Sequence, residues 1–166
     1  MKKINIEDVT WSEGKSPSGK FHRFRKELSV KLGAKRGEMP ATGGNPFEVE
    51  LVKIPPGAIN WPLHSHTIEH EFYLIVSGTG RVRTQEGEFE LRAGDVFVHR
   101  PSEPHQMRNP GPEDLVYYVI ADNQIADSCY YPDSQKWANN DIDRCFRPVE
   151  VEYYDGEDGS PAEERG

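Results

Sequence analysis

His64, His66 and His70, with Glu69 and Glu71, place three of the chain's six histidines and two carboxylates within residues 64–71. In a strand, residues two apart project to one face, so His64 and His66 point together. That is the simplest way to bring two imidazoles to one metal ion. Residues 67–70 read as a turn, after which Glu71 opens the next strand and can deliver a carboxylate to the same point. His105 is the candidate fourth donor, because it follows the turn Pro101-Ser102-Glu103-Pro104 and begins another short strand. Imidazole nitrogens with one carboxylate suit Fe, Mn, Ni, Co or Zn, whereas Ca and Mg prefer all-oxygen shells. The expected cofactor is one divalent transition metal of open identity. Glu69 would share the face of Glu71 if that strand began early, and is the alternative carboxylate. His70 and His99 read as surface or edge histidines, and His22 lies in a basic segment without partners.

Short runs rich in Val, Ile, Phe and Tyr must position these donors: residues 46–54, 71–78, 80–85, 88–94, 95–100, 105–109 and 114–122. Turn sequences separate them, IPPG at 54–57, SGTG at 77–80, EGE at 86–88 and NPGPED at 109–114. Helical periodicity is scarce. Strands so spaced and punctuated predict an all-β sandwich or barrel. The domain organisation expected is an N-terminal extension over 1–45 able to add a strand, a barrel over 46–122, a segment packing on it over 123–154, and a mobile acidic tail over 155–166. The stretch 130–137 reads as an ordered turn over the barrel with buried aromatics.

At 166 residues and 35% hydrophobic content there is material for one core. Glu7 and Asp8 interrupt the N-terminus before an apolar run develops, and nowhere are there eighteen consecutive apolar residues. A soluble, cytoplasmic protein with no membrane contact is expected, with Cys129 and Cys145 as free thiols. The net charge of -8 is unevenly spread: 15–36 holds eight Lys or Arg against Glu27 alone, and 150–166 holds seven acidic residues against Arg165 alone. No DNA-binding motif accompanies the basic stretch, so nucleic acid is not an expected partner.

Two motifs resemble those of the cupin superfamily of small β-barrels. The first, G(X)5HXH(X)3–4E(X)6G, is met by Gly57, His64, His66, Glu71 and Gly78, with the first glycine one residue early. The second, G(X)5PXG(X)2H(X)3N, is met by Gly94, His105 and Asn109, whereas Arg100 and Ser102 stand at its Pro and Gly positions. The resemblance implies a double-stranded β-helix (cupin, jelly-roll-like) barrel, with His64, His66, Glu71 and His105 as the metal set. Loss of the glycine at Ser102 is expected to alter the turn before His105.

Three His and one carboxylate leave positions on the metal open for water or substrate. A metal-binding cupin acting on a small polar molecule is expected, as a sugar or sugar-phosphate isomerase, an Fe(II)-dependent dioxygenase or a non-catalytic ligand-binding module. Whether it is an enzyme stays open. For an isomerase, Glu69, His70 and Tyr73 are the candidate proton carriers. By strand parity Asn60, Pro62, Tyr73, Ile75, Met107 and Asn109 face inward with the donors. Arg81 and Arg83 share a face, which is either solvated or a pocket mouth suited to an anionic substrate. A homodimer is expected, with the segment before Pro46 or residues 146–154 adding to a partner's sheet edge.

Overall fold

The computed structural model describes residues 1–35, 44–124, 126–139, 144–157 and 159. After a 3-10 turn at Ile6–Asp8 come β1 (Ser12–Lys15), β2 (His22–Glu27), the short helix α1 (Leu28–Leu32), β3 (Phe47–Ile54) and β4 (Ser65–His66). They are followed by β5 (Glu71–Ser77), β6 (Thr79–Arg83), β7 (Glu88–Arg92), β8 (Val96–His99), β9 (Gln106–Arg108) and β10 (Leu115–Asp122). The last strands are β11 (Ser128–Tyr131), β12 (Lys136–Asn139) and β13 (Arg144–Phe146). A six-stranded sheet runs β1-β2-β3-β10-β5-β8, a four-stranded sheet β13-β12-β11-β4 and a three-stranded sheet β7-β6-β9. Every pairing between named strands is antiparallel. This is the all-β barrel that the strand spacing predicts.

Period-two alternation builds the core. On β10, Leu115, Tyr117 and Val119 are buried while Val116 and Tyr118 are partly exposed. Register then stacks Leu115 on Ile54, Tyr117 between Val52 and Ile75, and Val119 beside Tyr73. Val82, Leu91 and Met107 close this cluster from the three-stranded sheet. Asn109, 1% exposed, ties the barrel end together by donating to the carbonyls of Ile54 (2.8 Å) and Glu113 (2.7 Å) and accepting from Gly111 N (2.9 Å).

Gly78 adopts φ +79°, and a Cβ there would lie 2.3 Å from the carbonyl oxygen of Asp114, so only glycine fits this turn. Ser102 takes φ +65° in the place of the second motif's glycine. The turn is therefore kept rather than altered, and Ser102 N donates to His66 O at 2.7 Å, linking the two motifs.

The segment before Pro46 contributes β1 and β2 to the large sheet. Lys26 of the basic stretch is buried, donating to Ile6 O at 2.7 Å with its ammonium 4.9 Å from the Trp11 ring. Residues 130–137 form the β11–β12 hairpin, in which Tyr130 pairs with Trp137 and both remain half-buried rather than buried. Most of the tail expected to be mobile lies outside the described residues. Among the described residues no helix is long and apolar enough to cross a membrane.

Candidate metal centre

β4 and β5 carry the donors as their periodicity requires. β4 is held by β11 on one side, and the His64–His105 bridge joins the two motifs backbone to backbone, with His105 N donating to His64 O at 2.9 Å. Glu71 Oε2 sits among the imidazoles, 2.7 Å from His105 Nε2 and 3.7 Å from His66 Nε2. The ring centroids of His64 and His105 are 4.6 Å apart, and those of His64 and His66 5.3 Å apart. Single donor atoms of His64, Glu71 and His105 lie within 4.8 Å of one another, as do those of His66, Glu69 and Glu71. The four residues that the spacing selects thus meet in two overlapping groups that share Glu71.

The Nδ1 contacts decide which nitrogen faces inward. His64 Nδ1 lies 2.9 Å from Pro62 O, His105 Nδ1 3.0 Å from Glu103 O, and His66 Nδ1 2.6 Å from Asp127 Oδ2. Carbonyl and carboxylate oxygens only accept, so each Nδ1 carries hydrogen and each neutral ring presents a lone pair at Nε2. This is the arrangement by which proteins orient histidine ligands to metals. Three Nε2 atoms and one carboxylate fit a divalent transition ion and fit Ca or Mg poorly.

Burial and charge set the protonation of the cluster. Burial, with the neighbouring His105, lowers His64 to about 3. For His66 burial acts downward, but the Asp127 hydrogen bond and the Cys129, Glu71 and Glu69 contacts outweigh it and raise the group to about 11. Burial opposes ionisation of Glu71, yet the His105 hydrogen bond and the surrounding imidazoles hold it well below the usual carboxylate range. Burial raises Glu69 to about 8, offset only in part by His66.

The proposed proton carriers separate in space. Glu69 Oε1 lies 3.6 Å from His66 Nδ1, at the edge of the cluster. Tyr73 donates its hydroxyl to Glu71 Oε2 at 3.1 Å. Burial pushes that phenol well above its ordinary value, so it orients Glu71 as a fixed donor instead of carrying a proton. His70 does not join them: its side chain is half exposed and its Nδ1 lies 3.5 Å from Asp122, outside the cluster.

His99 corrects the expectation of a surface histidine. It is 7% exposed and stacks on His105 with centroids 4.1 Å apart and planes 4° apart, and burial lowers it to about 3. Asp127 and Cys129, with Sγ 3.6 Å from His66 Nδ1, are likewise absent from the motifs. They arrive through the long-range pairing of β11 with β4, which no local spacing signals.

Arg81 and Arg83 are on the solvated face. Arg81 pairs with Glu88 and Glu90, and Arg83 makes two hydrogen bonds to Asp133 at 2.8 and 2.9 Å. An open groove of about 530 Å³ beside Arg81, Arg92 and Thr79 is lined by none of the four donor residues. Its Arg81–Glu90 and Arg92–Asp95 pairs neutralise one another, so the histidine cluster is the better site.

Residues 50–121 match the family model described as Cupin domain. The oxalate-binding protein of Thermotoga maritima is 33% identical over 69 residues, 42% of this chain and 56% of that relative. The chain thus matches little more than half the length of this curated relative. A solved sugar phosphate isomerase from a cupin superfamily of Silicibacter pomeroyi superposes with TM-score 0.72 at 21% identity, over 98% of each chain. The polyketide cyclase RemF of Streptomyces resistomycificus superposes with TM-score 0.58 at 21% identity, over 75% of this chain and 80% of its own. At such identities the two structural likenesses show a common fold.

Proposed function

From the match of residues 50–121 to the Cupin domain model, we propose that the chain is a metal-dependent enzyme acting on a small polar molecule, an isomerase of a sugar or sugar phosphate. One observation carries this reading: His64, His66 and His105 gather around Glu71 while a second carboxyl, Glu69, lies beside them with its pKa raised by burial. When bound, a divalent ion would polarise the carbonyl and hydroxyl oxygens of an aldose or ketose. His64, His66, His105 and Glu71 would hold it.

The chain's own groups supply the rest. Isomerisation moves a proton between adjacent carbons, and a group that exchanges protons near neutral pH does this best. Glu69 is that group: it is partly buried, and burial is the main cause of its elevated value. Tyr73 fixes Glu71 by hydrogen bond, leaving that carboxylate free of any proton-carrying role. Ile75, Met107 and Tyr117 fill the barrel interior, and Tyr131 stacks on His64 with centroids 6.0 Å apart. The reading favours a substrate recognised through its oxygens. An anionic group is not required, because Arg81 and Arg83 are engaged on the outer face.

The test is a screen of aldoses, ketoses and their phosphates against protein loaded in turn with Fe, Mn, Co, Ni and Zn, with oxygen uptake followed in parallel. Metal-dependent interconversion that Glu69→Gln reduces by about 100-fold or more supports the proposal, on the scale typical of general acid–base residues. Oxygen consumption without isomerisation would replace it by an Fe(II) dioxygenase, and ligand binding without turnover by a binding module.

A further inference from the structure

We propose that Asp127, which lies outside the matched domain, is a positioning residue of the metal centre, holding His66 in the tautomer that leaves Nε2 for the ion. The proposal rests on the metal-binding reading above. Of the three histidines, two are oriented by backbone carbonyls, those of Pro62 and Glu103. His66 alone is oriented by a side chain, at 2.6 Å from Asp127 Oδ2.

That side chain is itself held firmly. Asp127 is 5% exposed, and its Oδ1 accepts from Thr67 N at 3.0 Å, Ile68 N at 3.0 Å and Thr67 Oγ1 at 3.1 Å. Three donors on one oxygen fix the carboxylate plane and aim Oδ2 at the imidazole. A carboxylate with its second oxygen so occupied accepts from Nδ1–H and nothing else, which keeps hydrogen off Nε2 of the neutral ring. Thr67 Oγ1 in turn accepts from Ser128 N at 3.0 Å, locking β11 to the turn after His66.

The same geometry separates two substitutions. In Asp127→Asn the amide oxygen must stay toward Thr67 N, Ile68 N and Thr67 Oγ1, because an NH2 group there would face three donors. The NH2 then points at His66, which must accept through Nδ1 and carry its hydrogen on Nε2, the wrong tautomer for a ligand. Asp127→Ala loses the three contacts to the turn but leaves the imidazole free to choose its tautomer. Asn should therefore preserve the fold better than Ala and bind metal worse.

Co(II) affinity, measured by competition with a chelator and by the visible absorption of the bound ion, decides this on the full chain. Thermal unfolding of the metal-free variants provides the folding readout. Asp127→Asn is expected to lower Co(II) affinity about 100-fold and Asp127→Ala about 10-fold, the range found when ligand-orienting partners are removed. The order of stability should be the reverse. Should Ala fail to fold, a folded Asn variant with wild-type affinity still overturns the proposal, and a folded Asn variant about 100-fold weaker supports it. Affinities that follow stability, with Asn binding at least as well as Ala, overturn it while the metal site stands. Wild-type protein that binds no Co(II) overturns the metal-binding reading and this proposal with it. Two ions per chain, the second at His66 Nδ1, Asp127 and Cys129, also overturn it.

Discussion

Metal-free protein should be most stable near pH 6.5 and lose stability on both sides. His66 and Glu69 have folded values raised to about 11 and about 8. Their stabilisation is complete below the unfolded values and is lost as pH rises through the folded ones. Between pH 6.5 and 8 the folded chain therefore keeps two protons that the unfolded chain has released. Each is worth about 1.4 kcal/mol per pH unit, giving a loss of at most about 3 kcal/mol per unit. On the acid side, His64 and His99 have folded values lowered to about 3. As pH falls below 6.5 the unfolded chain takes up two protons there that the folded chain refuses, against one retained by Glu69, and stability falls again. Urea unfolding in chelator from pH 5 to 9, followed by tryptophan fluorescence, measures this. Stability that is flat or rising from pH 6.5 to 8 would refute the assigned protonation of the cluster. Saturating metal should flatten the alkaline limb, because a liganded His66 no longer keeps a proton on Nε2.

The remaining predictions concern backbone and surface. Ser102 is exposed at φ +65°, so Ser102→Gly should stabilise the protein by about 0.5–1 kcal/mol in the same urea assay. A loss above about 1 kcal/mol would show that the hydroxyl does more than occupy the turn. Gly78→Ala adds a Cβ 2.3 Å from Asp114 O at φ +79° and should cost about 3 kcal/mol or more. Near-wild-type stability would mean that the turn can relax. The outer face of β5 and β8 exposes Phe72 (37%), Val76 (46%), Val96 (58%) and Val98 (47%), an apolar patch that a homodimer would bury on a different face from the sheet edges suggested by the sequence. Sedimentation at two concentrations should show a dimer that Val98→Lys converts to monomer, and a wild-type monomer at both would end that reading.

The clustering of the four candidate donors was legible because they fall in two short motifs. Within each, strand parity fixes the face on which His64, His66, Glu71 and His105 project. The strands carrying them were legible from the same alternation, as on β10. Asp127 and Cys129 were not, because the β11–β4 pairing that delivers them joins residues some sixty positions apart. His99 misleads for another reason: β8 turns Phe97 and His99 toward the aromatic cluster and leaves Val96 and Val98 outside. Its hydropathy alone suggests the opposite face. At Ser102 the residue type departs from the motif while the backbone does not, since nothing obstructs a small residue in that exposed left-handed turn.

The most direct test of the account is the metal content of protein purified without chelator or nickel, equilibrated with each candidate divalent ion in turn. The account predicts about one tightly held transition ion per wild-type chain, and less than about a tenth of that in His64→Ala with His105→Ala, because two of four ligands are gone. Wild-type protein holding no ion, or a double variant holding as much as wild type, would contradict it.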